Sequence, residues 1–278
     1  MKKEIRTAVY DDRLHLEAYS FANITQPFPK HFHEYYVIGL VEEGERILCC
    51  KNCQYTLKKG DILLLNPGDI HACSQQDGGT LDYRGMNISQ SVMLDLVEKA
   101  IGQRVLPGFW ANVICDEEAA DYLYRLHELM MKGSHESKKE EILRQLIALL
   151  VEHYSQPFAF AVSEDHEEVE RACAFMEAHY AKPINLDQLC RYTAVSKSTL
   201  LRAFAGAKGV TPYSYLQNIR IGKARQMLEH GDSLVETALR TGFYDQSHFT
   251  NCFNRLIGLA PGVYRKIFQD PKEKIHEK

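Results

Sequence analysis

Roughly the last hundred residues of this chain contain one unit twice, and this duplication limits the possible folds more than any other feature. A single offset of 49 residues relates Ser198 to Ser247, Phe204 to Phe253, Gly209 to Gly258 and Pro212 to Pro261. A repeat at a fixed period is normally a copy of one supersecondary unit, and two copies are too few for a solenoid. The duplication therefore predicts a pair of small, similar modules.

The first copy has the pattern of a helix, a short turn and a second helix. Its apolar residues at helical spacing are Leu186, Leu189 and Cys190 in the first helix and Leu200 and Phe204 in the second. Asn185 or Asp187 can cap the first helix, and Ser196 can cap the second. Gly206 and Gly209 are expected to end the second helix.

The second copy repeats this pattern with different residues. The expected buried stripes are Val235, Ala238 and Leu239 in the first helix and Phe249, Phe253 and Leu256 in the second. Gly242 is expected in the turn, and Asp245 at the N-cap of the second helix. This is the helix-turn-helix pattern, whose second helix enters the major groove of DNA. A plain helical hairpin explains one copy equally well, but two copies favour DNA binding.

The segment between the copies, Pro212–Glu229, is predicted to form one continuous helix. At 1.5 Å per residue it would span about 27 Å. Major-groove faces on one side of B-DNA lie about 34 Å apart. A stiff helix of that length could present both reading helices to consecutive grooves.

The charge is divided unevenly along the chain. Residues 179–268 hold 12 Lys and Arg against 5 Asp and Glu, whereas residues 1–178 hold 18 against 29. The net charge of −4 therefore hides a basic block beside an acidic one. A basic block is expected where phosphates are contacted, although a solvated surface alone would also fit.

These residues resemble the AraC/XylS-type bacterial transcription regulators. The matching residues are Ala238, the run 242–249, Phe253, Gly258, Pro261, Tyr264 and Arg265, with Leu216, Arg220, Ala224 and Leu228 in the linking helix. The resemblance covers roughly residues 165–268 and implies a double helix-turn-helix domain, a homodimer and contact with RNA polymerase. Two positions depart from the family: Ala260 replaces the usual Thr or Ser, and Asn251 stands where Arg is frequent.

The positions opposite the two buried stripes are the predicted DNA-binding residues. They are Lys197, Ser198, Leu201 and Arg202 in the first copy and Gln246, Ser247, Thr250 and Asn251 in the second. Arg pairs with guanine, and Asn or Gln with adenine, in the commonest base contacts. Arg202 and Asn251 are therefore expected to read bases, whereas His248 is expected to pack or to contact the DNA backbone.

The first hundred residues have the pattern of a small β-barrel or sandwich. Short apolar runs at residues 35–41, 46–48 and 62–65 are bounded by Gly, Pro and Asn. His31-Phe32-His33 and the run 60–71 resemble the two halves of the cupin pattern, without the usual Glu near residue 38. Many AraC-type regulators carry such a domain as an effector sensor.

His31, His33, Tyr35 and His71 are the predicted effector-binding residues. On a strand the first three would share one face. Imidazole clusters also suit transition metals, so a metal-dependent cupin enzyme is an alternative. Because the cupin carboxylate is missing, we expect a polar organic effector, no metal, no other cofactor and no catalytic residue. The absence of Arg and Lys from residues 31–41 favours a polar effector over an anionic one, although Arg84 or Lys30 could approach from elsewhere.

The eight cysteines are expected to be reduced, because no secretory signal or membrane span is visible and the chain is expected in the cytoplasm. Cys49, Cys50 and Cys53 form a cluster, but no second Cys or His pair completes a zinc pattern. A thiol- or metal-responsive sensor is therefore a further alternative.

Two helices, Glu117–Met131 and Lys138–Tyr154, are predicted between the barrel and the basic block. The second has a wide apolar stripe, which would serve either homodimerisation or packing on the barrel. The expected domains are a sensor and dimerisation domain at 1–155, a linker at 156–168 and a DNA-binding domain at 169–270.

The sequence therefore predicts a two-domain α+β protein, with a cupin-like β-barrel and dimerisation helices followed by an all-α double helix-turn-helix. The expected function is non-enzymatic, sequence-specific binding of double-stranded DNA under control of a small-molecule effector. A metal-dependent enzyme or a thiol sensor fused to a DNA-binding module remains the competing interpretation.

Overall fold

The computed structural model describes residues 3–51, 53–76, 78–133, 138–157 and 167–269, and the backbone of 275–277. The chain forms two compact units. The N-terminal unit consists of Met1–Pro27, His33–Ala159 and Lys266–Lys278, and the C-terminal unit of Phe28–Phe32 and Phe160–Arg265.

Thirteen strands are present in the described residues. They are β1 Ile5–Asp11, β2 Leu16–Ile24, β3 Phe28–His31, β4 Tyr36–Gly44, β5 Arg46–Cys50, β6 Cys53–Leu57, β7 Ile62–Leu65, β8 His71–Gln75, β9 Leu81–Ile88, β10 Pro107–Phe109, β11 Val113–Ile114, β12 Ser155–Pro157 and β13 Ile275–Glu277. In the N-terminal unit one sheet has the order β11-β7-β4-β9-β2-β1-β13, the other contains β8-β5-β6, and β10 pairs with β12.

The helices of the described residues follow the predicted pattern closely. They are α1 Gln90–Ile101, α2 Glu117–Met131, α3 Lys138–Tyr154, α4 Glu167–His179, α5 Leu186–Thr193, α6 Lys197–Lys208, α7 Pro212–Glu229, α8 Leu234–Arg240, α9 Gln246–Ile257 and α10 Pro261–Gln269. None of the described helices is long and apolar enough to cross a membrane. Helix α4 begins at Glu167, within the stretch predicted as a linker.

The alternation of side chains along β4 separates two hydrophobic cores in the N-terminal unit. Val37 and Val41 join a core with Leu48, Leu57 and residues of β7 and β9, which lies between the two sheets. The intervening residues of β4 pack on the opposite face against the helices α1 to α3. The space between the sheets is therefore the candidate interior for a ligand.

The apolar stripe of α3 is buried inside the protomer. Ile142, Leu143, Leu146, Ile147 and Leu150 are each at most 5% exposed and belong to the core on the helical side of the larger sheet. Packing within the N-terminal unit accounts for the wide apolar stripe of α3. The width of the stripe is therefore no argument for a dimer contact through α3.

The first helix of the second copy differs from the prediction. Val235 is 53% and Leu239 61% exposed, so the expected buried stripe of α8 is wrong apart from Ala238. Thr237 is buried instead. In the first copy, α6 continues through Gly206 and ends at Gly209, whose φ of 64° is left-handed.

Candidate DNA-reading helices and effector site

The first helix-turn-helix is fixed by polar caps. The side chain of Asn185 accepts a hydrogen bond from the backbone of Gln188, whose side chain in turn accepts one from the backbone of Asn185. Ala194 adopts a left-handed φ of 61° in the turn. Ser196 then caps α6 by accepting from the Thr199 amide at 3.2 Å.

The second helix-turn-helix uses the same devices. Ser233 caps α8, and Asp245 caps α9 by accepting from the His248 amide at 2.7 Å. Gly242 has a φ of 82°, and a Cβ placed there would lie 2.8 Å from the Tyr180 carbonyl oxygen. Only glycine meets both the conformation and the space, so the predicted turn residue is confirmed.

Helix α7 is fixed by two buried arginines, Arg220 and Arg225, of which only Arg220 was selected from the sequence. Arg220 donates to the carbonyls of Tyr180 and Lys182, at 2.9 and 3.0 Å, just after the end of α4. Arg225 donates to the hydroxyl of Tyr264 at 2.8 Å. These bonds tie the joining helix to the elements that flank it.

The predicted DNA-binding residues lie on α6 and α9, opposite buried Leu200, Phe204, Phe249 and Phe253. The exposed members are Lys197, Ser198, Leu201, Arg202, Gln246, Ser247 and Asn251, and Thr250 is half-buried. Both helices have 12 residues, and their first residues are 49 positions apart. The two modules thus present equivalent surfaces.

Two of these residues have contacts within the C-terminal unit. The ammonium of Lys197 lies 2.7 Å from a carboxylate oxygen of Asp187. Leu201 lines an apolar cavity of about 270 Å³ together with Leu186, Leu189 and Leu216. Leu201 is therefore placed for an apolar contact, as with a thymine methyl, rather than for a hydrogen bond.

His33 and Tyr35, two predicted effector residues of the N-terminal unit, are brought together by a bend of the chain and not by a strand. Residues 32–35 lie outside the strands, so the expectation that His31, His33 and Tyr35 share a strand face is wrong. The Tyr35 hydroxyl lies 2.9 Å from Nδ1 of His33, and the His33 ring centroid lies 5.1 Å from that of His71.

The three predicted histidines are divided between the two units. His33 and His71 belong to the N-terminal unit and His31 to the C-terminal unit. Nδ1 of His31 lies 2.7 Å from the Pro29 carbonyl oxygen.

His71 is neutral near neutral pH. Burial lowers its pKa to about 4, and its Nδ1 lies 2.9 Å from the Asp69 carbonyl oxygen. Nδ1 therefore carries the proton, and Nε2 is the acceptor nitrogen. A neutral imidazole suits a ligand hydroxyl and a metal ion alike.

Two tyrosines between the sheets were missed by the sequence analysis. The hydroxyls of Tyr19 and Tyr83 lie 3.4 Å apart, and burial raises the pKa of both phenols, so they stay protonated. A Cβ on Gly39 would lie 1.9 Å from the Tyr83 hydroxyl, and one on Gly85 2.5 Å from that of Tyr19. Glycine inside a strand marks such close approach, and this signal was available in the sequence.

Cys50, the middle residue of the cluster of Cys49, Cys50 and Cys53, is a buried and poorly reactive thiol. Cys50 lies opposite Cys53 in the backbone register of the β5–β6 hairpin, and both thiols are free. Burial raises the pKa of the Cys50 thiol to about 12, which leaves little thiolate for redox chemistry. Cys252 is buried, whereas Cys190, which was predicted on a buried stripe, is only half-buried.

Comparison with known proteins gives the class. A model described as a helix-turn-helix domain matches residues 189–267, and one described as an AraC-like ligand binding domain matches residues 13–149. The HTH-type transcriptional regulator YbfI of Bacillus subtilis (strain 168) is 44% identical over 97% of this chain and 98% of its own length. The transcriptional activator RhaS of Klebsiella pneumoniae (strain 342) is 26% identical over 86% and 88%.

Solved structures share the fold. An apo ToxT variant of Vibrio cholerae has a TM-score of 0.54 at 14% identity, over 91% of this chain and 97% of its own. ToxT bound to an unsaturated fatty acid has a TM-score of 0.51 at 16% identity, over 96% and 98%. Fold and site thus define a DNA-binding transcription regulator with a ligand-binding domain. The chain belongs to the AraC family of HTH-type transcriptional regulators.

Proposed function

We propose that this chain binds specific operator DNA through α6 and α9, and that a small molecule held between the sheets of the N-terminal unit controls this binding. The observation that carries the proposal is the equivalence of the two helices, which have equal length and capping and expose polar side chains at matching positions. Bound DNA would place the chain in the cytoplasm, where contact with RNA polymerase can follow. Ligand binding would shift a conformational equilibrium rather than lead to chemistry.

The DNA half of the proposal is tested by two substitutions on the reading helices. Operator sites are selected from random DNA with the full chain, and binding to selected and random DNA is measured by fluorescence anisotropy. Arg202→Ala and Asn251→Ala should each cost about 1–3 kcal/mol on the selected site and little on random DNA. Arg240→Ala is the control, because Arg240 is exposed on α8 and paired with Asp232 at 2.9 Å. Equal losses on both DNAs for the two variants would contradict the assignment.

The effector half is supported by the polar side chains between the sheets, among them the hydroxyls of Tyr19 and Tyr83. It is supported also by ToxT, which has a similar fold and is bound to an unsaturated fatty acid in one solved structure. Mass spectrometry of molecules retained by the purified full chain should identify a ligand whose addition changes operator affinity. The coupling must be reciprocal, so operator DNA should change ligand affinity by the same factor. A retained molecule without any effect on operator affinity would refute this half.

A homodimer completes the proposal. Sedimentation of the full chain should show a dimer, whose contact uses surfaces other than the buried α3 stripe. A strict monomer at high concentration and on operator DNA would refute it.

A further inference from the structure

One buried cation between the two sheets has no acidic partner among the described residues. Arg46, at the start of β5, is 1% exposed. Since alternate residues of a strand share a face, its side chain lies on the same side as Leu48 and Cys50, which belong to the core between the sheets. Its Nη2 donates to the Ile24 carbonyl, whereas Nη1 is buried with no hydrogen-bond partner in the described part of the chain.

The other buried cations of the N-terminal unit are paired. Arg6 lies beside Glu4, Arg84 beside Glu42 and Glu128, and Lys139 beside Asp11. No described carboxylate lies within 4.0 Å of Arg46. An unpaired charge inside a protein is strongly unfavourable, and guanidinium keeps its proton. The contrast with the paired cations indicates that the partner of Arg46 comes from outside the chain.

The nearest polar groups do not neutralise this charge. Cys73 lies beside Arg46, but burial raises the pKa of its thiol to about 11, so it stays uncharged near neutral pH. Glu4 favours the charged form of Arg46 electrostatically, but its carboxylate oxygens accept hydrogen bonds from Arg6 and from Thr25 instead. Among the described residues, the guanidinium therefore has no carboxylate in an ion pair with it.

The surroundings of Arg46 suit a ligand with an anionic group and a ring. Gln75 lies opposite it on β8, and Cys73 is two residues away on the same face of that strand. The phenols of Tyr19 and Tyr83 supply hydroxyl donors and aromatic faces. The rest of this core is mostly aliphatic, with Cys50 and the partly buried Tyr35 and Tyr55. Ligand sites of this kind have few polar groups that fix orientation within apolar walls.

We propose that the effector is an organic anion, whose carboxylate or phosphate oxygens accept hydrogen bonds from the guanidinium of Arg46. This inference rests on the proposed effector control and names the chemical class of the effector. It replaces the expectation of a polar effector that is not anionic, which rested on the absence of Arg and Lys from residues 31–41. The positive charge is supplied instead by β5, which lies outside both halves of the cupin-like motif.

The test uses the full chain and three probes: benzoate, neutral benzamide of nearly equal shape, and phenyl phosphate as a larger, tetrahedral anion. Binding is measured by isothermal titration calorimetry, and thermal unfolding is followed by the fluorescence of the single tryptophan, Trp110, in the N-terminal unit. Benzoate or phenyl phosphate should bind and raise the unfolding temperature, and benzamide should bind at least tenfold more weakly.

Three variants locate the anion. Arg46→Met, of similar length but uncharged, should weaken anion binding roughly ten- to hundredfold, whereas Arg46→Lys should weaken it less. Without any ligand, Arg46→Met should be no less stable than the wild type, because it removes an unpaired buried charge. Arg104→Met is the control and should leave binding unchanged, because Arg104 is exposed and paired with Asp95 and Glu98.

Equal binding of benzamide and benzoate, or binding of neither anion, overturns the proposal. So does unchanged anion affinity in Arg46→Met. If that variant does not fold, the comparison of probes on the wild type still decides the question.

Operator affinity separates this inference from effector control. If a neutral ligand alters DNA binding, effector control holds but the anion proposal fails. If an anion binds at Arg46 without any effect on DNA binding, the anion proposal holds but effector control fails.

Discussion

Gly242 offers the sharpest test of the turn between α8 and α9. Its φ of 82° is left-handed, which costs an L-residue about 1–2 kcal/mol. An added Cβ would also lie 2.8 Å from the Tyr180 carbonyl oxygen and 3.0 Å from that of Ala181, which are backbone atoms that cannot rotate away. Such crowding costs about 1–3 kcal/mol. Gly242→Ala should therefore destabilise the C-terminal unit by about 2–5 kcal/mol.

Gly206→Ala is the matched control. Gly206 lies inside α6, and no atom lies within 4 Å of an added Cβ. Alanine there should stabilise the helix by about 0.5–1 kcal/mol. The same chemical change in the same unit thus has opposite expected signs.

Urea unfolding of the full chain measures both changes. The fluorescence of Trp110 follows the N-terminal unit and should stay unaffected, so a shift of the far-UV circular dichroism curve without a shift of the Trp110 curve reports on the C-terminal unit. If Gly242→Ala unfolds at the urea concentration of the wild type, the reasoning from backbone geometry fails. If Gly206→Ala is destabilised as strongly as Gly242→Ala, the effect belongs to glycine replacement in general.

Two further predictions concern the N-terminal unit. Burial lowers the pKa of His127 to about 4, so the unfolded chain binds more protons below pH 6.5, and the His127 contribution to stability should fall by about 3 kcal/mol as the pH drops from 6.5 to 4. His127→Gln, which keeps an N–H for the Tyr19 carbonyl, should remove this contribution in urea titrations and leave the similar one of His71; an unchanged slope would exclude His127 as the cause. Elemental analysis of protein purified without chelator should find well under one transition metal per chain. Near-stoichiometric metal that is lost in His33→Ala would revive the enzyme interpretation.

The helical elements could be predicted from the sequence because their signals are local. Ser196 and Asp245 cap helices through amides three residues away, and Pro212 and Glu229 bound α7 as predicted. Helical spacing identified Leu200, Phe204, Phe249 and Phe253 as buried. The same spacing failed for α8, because a helix of seven residues has too few positions to show which face the rest of the chain covers.

The interior between the sheets was decided by tertiary structure. The sequence places Arg46 between Glu45 and the apolar Ile47 and Leu48. Nothing local shows that its guanidinium reaches the Ile24 carbonyl of the other sheet or that no described carboxylate pairs with it. Tyr19 and Tyr83 meet because distant strands pair and two glycines leave room for their rings. Capping and periodicity depend on neighbours within a few residues, so the sequence alone determined the DNA-reading helices. The partner of a buried charge depends on every strand that surrounds it, so only the fold could point to the chemistry of the effector.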